Sequence, residues 1–292
     1  MEWKTRVTDL LGCKYPILQG AFGSCGTWQF AACAAEAGAF GTITASISRT
    51  PEKLREDIRN CRKATHGRFG VNLTIGNCSQ IEDMLEVCIE EKVPVETSLQ
   101  KPDALAPRIK EAGLTWIHKA ARVKDAVHAQ AAGADAIILV GLEGTGRKNP
   151  EQLPTMTSII WGGRQIKVPL IAAGGIGDAH GFLAALGMGA DGIMMGTVFM
   201  ATKECPISDA AKEAIVRTGP DNPELRQQVM MTGEWKTPGN AKLVSDKANW
   251  TQSISFAAGV IDSVPTVHEL ISGIVRDAED ILNGWRFLKR GY

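Results

Sequence analysis

Charge of one sign is the first thing this 292-residue sequence lacks: 32 Lys+Arg stand against 32 Asp+Glu, a formal net charge of zero. Nucleic-acid-binding chains normally carry a basic excess to meet phosphates, so the balance removes that expectation. Long apolar runs are missing too. None reaches the roughly 18 to 20 residues that span a bilayer, and the amphipathic opening MEWKTRVTDLLG has no apolar core of a secretory signal. The seven cysteines are an odd number scattered from Cys13 to Cys205 with no CxxC pair. They read as reduced thiols in a cytoplasmic protein, not as a disulfide framework. HExxH, Walker and clustered Cys/His patterns are absent, so no metal site is expected. Three Asn-x-Ser/Thr triplets, at Asn72, Asn77 and Asn249, read as chance. With 44% hydrophobic residues the chain has ample means to bury a core, as one large domain or two small ones.

What is there is a regular alternation. Short β-branched, apolar runs fall near 16–20, 39–43, 68–75, 93–97, 115–119, 135–141, 168–173 and 191–195, with starts roughly 20 to 33 residues apart. They are apolar throughout, as strands of a parallel sheet covered on both faces should be. Amphipathic helices separate them. Thr50-Pro51 is an N-cap with proline at the first helical position, leading Leu54 and Ile58 on one face. Ser79 with Glu82 and Thr266 with Glu269 read as capping boxes, the first before Ile81, Leu85 and Cys88 and the second before Leu270, Ile274, Ile281 and Trp285. The segments EAGAFGTI (36–43), EAGLTWI (111–117), AAGADAII (131–138) and GMGADGIM (187–194) share one grammar, a helix closed by a left-handed glycine and a strand about two residues later. The expected fold is an α/β TIM (β/α)8 barrel with a small helical insertion after the eighth strand; an open doubly wound sheet is the rival. The barrel strands and site occupy 1–199, a polar insertion or lid 200–255, and a final helix 256–292. The insertion is either a cover over the site or a surface excursion.

The chemistry is expected at the strand ends. AAGGIGD (172–178) and MMGTVF (194–199) place glycine turns after strands seven and eight, where barrels of this kind commonly bind phosphate. Gly174, Gly175 and Gly196 let backbone N–H groups approach an anion, and Thr197 can add a hydroxyl donor. GGIGDAHG misses the dinucleotide fingerprint by one residue. Gln19, Gly20, Ala21 and Gly23 fall at the end of the first strand, where small residues would let a flat ring lie close, and Asn72 puts an amide at the mouth or in the core.

In these segments the chain resembles the FMN-dependent nitronate monooxygenase family, long called 2-nitropropane dioxygenases, which includes flavin enoyl-thioester reductases. YPILQGAFG, AAEAGAFGTI, GVNLTI, AGADAIILVGLEG, VPLIAAGGI, GADGIMMGTVFMATKE and the closing AGVID carry the resemblance, which spans nearly the whole chain. It implies a TIM barrel with non-covalent FMN. Gly20, Ala21 and Asn72 would meet the isoalloxazine, and Gly174, Gly175, Gly196 and Thr197 the phosphate. Lys119 and Glu143 would be polar neighbours of the ring or ribityl chain, with Phe22, Gly144, Ala173 and Met195 completing the contact set. Lys119 would be a cation stabilising the anionic reduced flavin.

The chain departs from the family after strand six. The usual E-A-G-G-H-x-G, with histidine as acid or base, is here Glu143-Gly144-Thr145-Gly146-Arg147-Lys148-Asn149. Arg147 cannot take a proton at neutral pH but suits an anion such as a nitronate, carboxylate, enolate or coenzyme A phosphate. Asn149 to Gln152 reads as a helix start, with Asn149 as cap. His180, in the turn after the phosphate glycines, is a candidate for reaching the cofactor, against a solvated helical reading. His118 should face away from the mouth, and His66, His128 and His268 read as surface or core residues.

The function implied is an FMN oxidoreductase of the nitronate monooxygenase kind. The alternatives are an NAD(P)H-dependent enoyl-thioester or quinone reductase, a flavin-free phosphate-binding isomerase or lyase, and a non-catalytic flavin binder. Expected partners are a small anionic substrate or coenzyme A thioester and a second copy in a homodimer, with neither nucleic acid nor membrane.

Overall fold

Eight apolar runs form eight short parallel strands in the computed structural model, which describes residues 2–146, 149, 151–230 and 254–285. They are β1 (Ile17–Gln19), β2 (Gly41–Thr44), β3 (Phe69–Thr74), β4 (Val95–Ser98), β5 (Trp116–Ala120), β6 (Ala136–Val140), β7 (Leu170–Ala173) and β8 (Gly192–Met195). The sheet order β1-β8-β7-β6-β5-β4-β3-β2 leaves β1 and β2 to meet, and they do. Leu18 bridges Phe40; the Gln19 N–H donates to the Phe40 carbonyl at 2.9 Å, and the Phe40 N–H to the Ile17 carbonyl at 2.8 Å. Above that point the Gln19 side chain continues the seam, its Oε1 accepting from the Thr42 N–H at 3.0 Å. The sheet is therefore a barrel, not an open doubly wound sheet.

Helices pack around the strands as α2 (Trp28–Glu36), the short α3 (Ala45–Ser48), α4 (Pro51–Ala64), α5 (Ile81–Glu90), α6 (Ala106–Glu111), α7 (Val123–Ala131), α8 (Thr155–Gly163) and α9 (Ala179–Gly187). A final helix, α13 (Val267–Gly284), lies between α9 and α2 and completes the ring. The glycines that close helices before strands are left-handed as the grammar requires: φ is 92° at Gly38, 64° at Gly113, 103° at Gly133 and 100° at Gly189. Each lets the chain reverse within two residues, which fixes where the next strand begins.

Alternation along the strands sorts the core into two layers. Ile17, Val71, Val95, Leu139 and Ile193 face the helices in the larger cluster. Leu18, Ile117, Ile138, Ile171 and Met194 fill the barrel with Val7 and Leu11 of α1 (Arg6–Leu11), which plugs the N-terminal end. With that end closed, the C-terminal mouth is the face left for a site.

Two caps form as the sequence predicts. Thr50 Oγ1 accepts from the Lys53 N–H before Pro51, and Thr266 with Glu269 makes a reciprocal capping box. The Ser79–Glu82 box does not form. Helix α5 starts behind Gln80, which sits at φ 53° without a side-chain cap, and Glu82 instead pairs with Arg108 at 2.5 Å. Trp285 lies just beyond α13 and is exposed. After β8 come short α10 (Thr197–Met200), α11 (Asp209–Arg217), α12 (Pro223–Met230) and a 3-10 turn at Phe256–Val260. The remainder of the predicted insertion, 231–253, lies outside the described residues. No helix among them is long and apolar enough to cross a membrane.

Candidate active site

The mouth divides into a polar and an apolar half. On β3, β4 and β5 the inward positions are Asn72, Glu96 and, one layer higher, Thr74, Ser98 and Lys119; Asn72 lies beside Glu96, Thr74 beside Ser98, and Ser98 beside Lys119. Asn72 Nδ2 donates to Glu96 Oε1 at 2.9 Å and to Ser98 Oγ at 3.2 Å, while Thr74 Oγ1 donates to Asn72 Oδ1 at 2.6 Å. Lys119 reaches down from its layer to place Nζ 3.1 Å from Glu96 Oε1. Asn72 is fully buried and Glu96 is only 3% exposed. A carboxylate so far from water persists only because an ammonium and an amide meet it. Across the mouth, β6 to β8 contribute Ile138, Ala173 and Met194, which are apolar.

The glycine turns lie on the apolar side. Gly174 and Gly175 have φ of 105° and 76°, a region costly for residues with a Cβ. A Cβ on Gly174 would lie 3.0 Å from the Gly144 nitrogen, and one on Gly175 would lie 3.0 Å from Glu143 Cβ. These glycines thus let the loops after β6 and β7 pack against each other. Glu143 joins them: its Oε2 accepts from the Thr155 N–H at 2.7 Å and lies 2.7 Å from Thr155 Oγ1, which also approaches the Gly174 carbonyl at 2.9 Å. Gly196 differs from both. A Cβ there would meet only the Phe22 ring, at 3.9 Å, so open space faces the start of α10. Thr197 Oγ1 is 2.9 Å from Ser255 Oγ and accepts from the Ser255 N–H at 2.8 Å, which ties the segment before the 3-10 turn to the start of α10.

The first strand delivers its small residues beside that space. The Gly20 N–H donates to the Met195 carbonyl at 2.8 Å, and a Cβ on Gly20 would lie 3.2 Å from Gly196 Cα. Ala21 follows, and the Phe22 N–H is held by Thr44 Oγ1 at 3.1 Å. One residue beyond Gly23 and Ser24, Cys25 hydrogen-bonds to Cys205, linking this loop to the chain after α10; all seven cysteines are free thiols. That donated S–H holds the Cys205 pKa below its ordinary value.

Gly20, Ala21, Phe22, Ala173, Met195, Gly196 and Thr197 therefore gather around the β1–β8–β7 arc, and Asn72 and Lys119 stand on the polar half. Arg147 lies outside the described residues. His180 carries a side chain 81% exposed, 3.9 Å from Asp178 Oδ2. His118 faces the helices, as alternation predicts, with Nδ1 2.8 Å from Thr97 Oγ1; burial pushes its pKa down to about 4, so it is neutral at pH 7. His66 and His268 are exposed, and His128 pairs with Asp103. The helix expected to start at Asn149 begins later, at Thr155. Asn149 Oδ1 accepts from the Glu151 N–H at 2.9 Å as a local turn, while Gln152 turns back to donate to the Val140 and Gly141 carbonyls. Among the described residues no group of His, Cys, Asp and Glu is placed to hold a metal.

Glu96 and Ser98 were not singled out by the sequence, although a carboxylate inside an apolar strand run was the signal available. Thr155 and Ser255, which fix Glu143 and Thr197, carry no such signal.

Comparison with known proteins agrees with the barrel fold. Residues 4–235 match the family described as nitronate monooxygenase. FabK from Thermotoga maritima superposes with a TM-score of 0.83 at 32% identity, covering 96% of this chain and 98% of that one. A Mycobacterium tuberculosis (3aS,4S,5R,7aS)-5-hydroxy-7a-methyl-1-oxo-octahydro-1H-indene-4-carboxyl-CoA dehydrogenase is 33% identical over 78% of this chain, which spans 64% of that protein's length. A probable nitronate monooxygenase of Staphylococcus aureus strain JH9 is 27% identical over 95% of this chain and 88% of its own. A barrel with glycine turns after β7 and β8, small residues at the end of β1 and a family match over most of its length leads to one assignment: the chain belongs to the nitronate monooxygenase family of flavin-dependent oxidoreductases.

Proposed function

We propose that the flavin is FMN, bound across the mouth with its phosphate at the turns after β7 and β8, and that the substrate is a small anion or an activated carbonyl compound. The open space before Gly196 carries this reading, because a side chain there would meet almost nothing in the protein. The N–H groups opening α10 have no partner within the helix and suit an anion; at α9 the Asp178 carboxylate already takes the Gly181 N–H at 2.7 Å. Lys119 offers a donor on the polar half, where a ring with carbonyl groups on one edge finds a partner, and Asn72, whose amide hydrogens are given to Glu96 and Ser98, braces the carboxylate beneath it. Bound there, FMN supplies electron transfer through N5. The chain's own residues orient the substrate over the ring, exclude water and place cations near developing negative charge. Arg147, standing where the family's histidine would be, clamps the substrate anion and moves no proton.

Arg147 also favours a second reading, an NAD(P)H-dependent reductase of an enoyl thioester. A cation at that position suits the phosphates of coenzyme A, and the Mycobacterium relative is named for a carboxyl-CoA substrate. The pair is separated by anaerobic titration of the FMN-loaded protein with NADH and NADPH. Bleaching reversed by an enoyl thioester supports the reductase; oxygen uptake with alkyl nitronates and no response to either nicotinamide supports the monooxygenase. Arg147→Ala should raise KM at least about tenfold, about 1.4 kcal/mol of lost anion binding, with FMN content unchanged. An unchanged KM removes the clamp.

A further inference from the structure

The family resemblance gives Lys119 the part of a cation beside the flavin ring, yet in this chain that ammonium does not stand alone. Its Nζ is 3.1 Å from Glu96 Oε1. The same oxygen accepts from Asn72 Nδ2 at 2.9 Å, so one carboxylate oxygen joins the two side chains that the resemblance sets beside the ring. Glu96 is 3% exposed on a central barrel strand, where a carboxylate is costly and apolar side chains normally sit. Ser98 and Thr74 add hydroxyls but no charge. Among the described residues facing inward on β3, β4 and β5, Glu96 and Lys119 are the charged ones.

We propose that Glu96 is a positioning residue that cancels the charge of Lys119 at the mouth and thereby sets the reduction potential of the bound flavin, making it more negative than an uncompensated lysine would. Reduction places negative charge on the ring. A lone ammonium stabilises that charge, whereas an ammonium paired at 3.1 Å presents a dipole whose field falls off faster. A lower potential suits a flavin that gives electrons onward to oxygen or an activated double bond. This inference rests on the flavin reading, because it needs the ring to lie over the polar half.

The test combines three variants, with visible absorbance reporting FMN binding, sulfite affinity and the midpoint potential. Sulfite adds to flavin N5, and its adduct, like the reduced ring, is stabilised by a nearby cation. Glu96→Gln keeps the hydrogen-bond acceptor for Asn72 but frees the Lys119 charge. It should tighten sulfite binding at least about tenfold and raise the potential by about 30 mV, the equivalent of tenfold for a two-electron couple. Lys119→Met removes the ammonium that lets the buried carboxylate persist, so no net charge is left at this position and both readouts should stay close to the wild type. The double variant Glu96→Gln/Lys119→Met is also neutral there and should stay close to the wild type as well. Unchanged sulfite affinity and potential in an FMN-replete Glu96→Gln overturn the proposal. So does an FMN-replete double variant whose sulfite affinity falls at least about tenfold below the wild type, because a lysine acting alone predicts that loss. If Glu96→Gln does not fold, the double variant compared with the wild type decides on the same criterion. Failure of the wild type to take up FMN is a different outcome: it sinks the flavin reading itself, and this inference with it.

Discussion

At the residue scale, glycines that look alike in the sequence do different work. Gly174 adopts φ 105° and would bring a Cβ to 3.0 Å from the Gly144 nitrogen in the neighbouring loop and from Thr155 Oγ1 at the start of α8. Gly196 has φ −108° and open space before it. Gly174→Ala should therefore destabilise the apoprotein by about 1–3 kcal/mol, the cost of a strained backbone and a tight contact. Gly196→Val should fold with nearly wild-type stability yet retain no FMN, because its methyl groups occupy the space assigned to the phosphate. Urea unfolding of the apoproteins and flavin content per chain separate the two. Full FMN occupancy in a folded Gly196→Val would remove the phosphate assignment. The glycine turns were legible as turns because the dipeptides are punctuation in any sequence. Which glycine serves backbone strain and which leaves room is a property of the packing around it. Thr197 makes the same point, since its hydroxyl is engaged by Ser255, 58 residues away in sequence.

At the element scale, the strands were legible because a parallel sheet covered on both faces writes itself as apolar runs, and the left-handed glycines mark their starts. Caps were legible only where nothing competed. Thr266 and Glu269 cap each other, but Glu82 is drawn to Arg108 and Gln152 to the carbonyls ending β6. The Asn72–Glu96–Lys119 group was illegible because its spacings of 24 and 23 residues match no motif; only strand register brings them together. The β4–β5 seam yields a pH prediction. Trp116 Nε1 donates to Thr97 Oγ1 at 2.8 Å, the same oxygen lies 2.8 Å from His118 Nδ1, and burial holds the imidazole neutral. Its folded pKa, about 4, lies below the ordinary 6.5. The unfolded chain thus binds an extra proton between these values, so the histidine's stabilising contribution is complete above pH 6.5 and declines as pH falls towards 4. The decline amounts to about 3 kcal/mol at 1.36 kcal/mol per pH unit. His118→Asn keeps an acceptor for Thr97 and does not titrate. The stability difference between wild type and this variant, from urea unfolding, should shrink by that amount from pH 7.5 to pH 4; a flat difference defeats the assignment.

At the scale of the whole molecule, the barrel is closed at one end by α1 and joined into a circle by few bonds at the β1–β2 seam, where Phe40 and the Gln19 side chain replace a regular ladder. The candidate cofactor site sits over that region and draws on β1, β3, β5, β7 and β8, so a molecule bound there contacts strand ends from both sides of the seam. Native-state binding should then stabilise the barrel as one unit: free FMN at 100 times its Kd should add about 2.7 kcal/mol to unfolding in urea, with the transition still single. The increment should grow with the logarithm of FMN concentration, about 1.4 kcal/mol for each further tenfold. Gly196→Val, folded but closed to phosphate, should gain nothing at any concentration. Riboflavin, which shares the ring but lacks the phosphate, should give a smaller increment with the wild type and the same small increment with Gly196→Val. Equal stabilisation of both proteins by FMN would mean that the phosphate is gripped elsewhere. Two separate transitions would mean that the seam, rather than the ring of strands, is the weakest boundary in the fold.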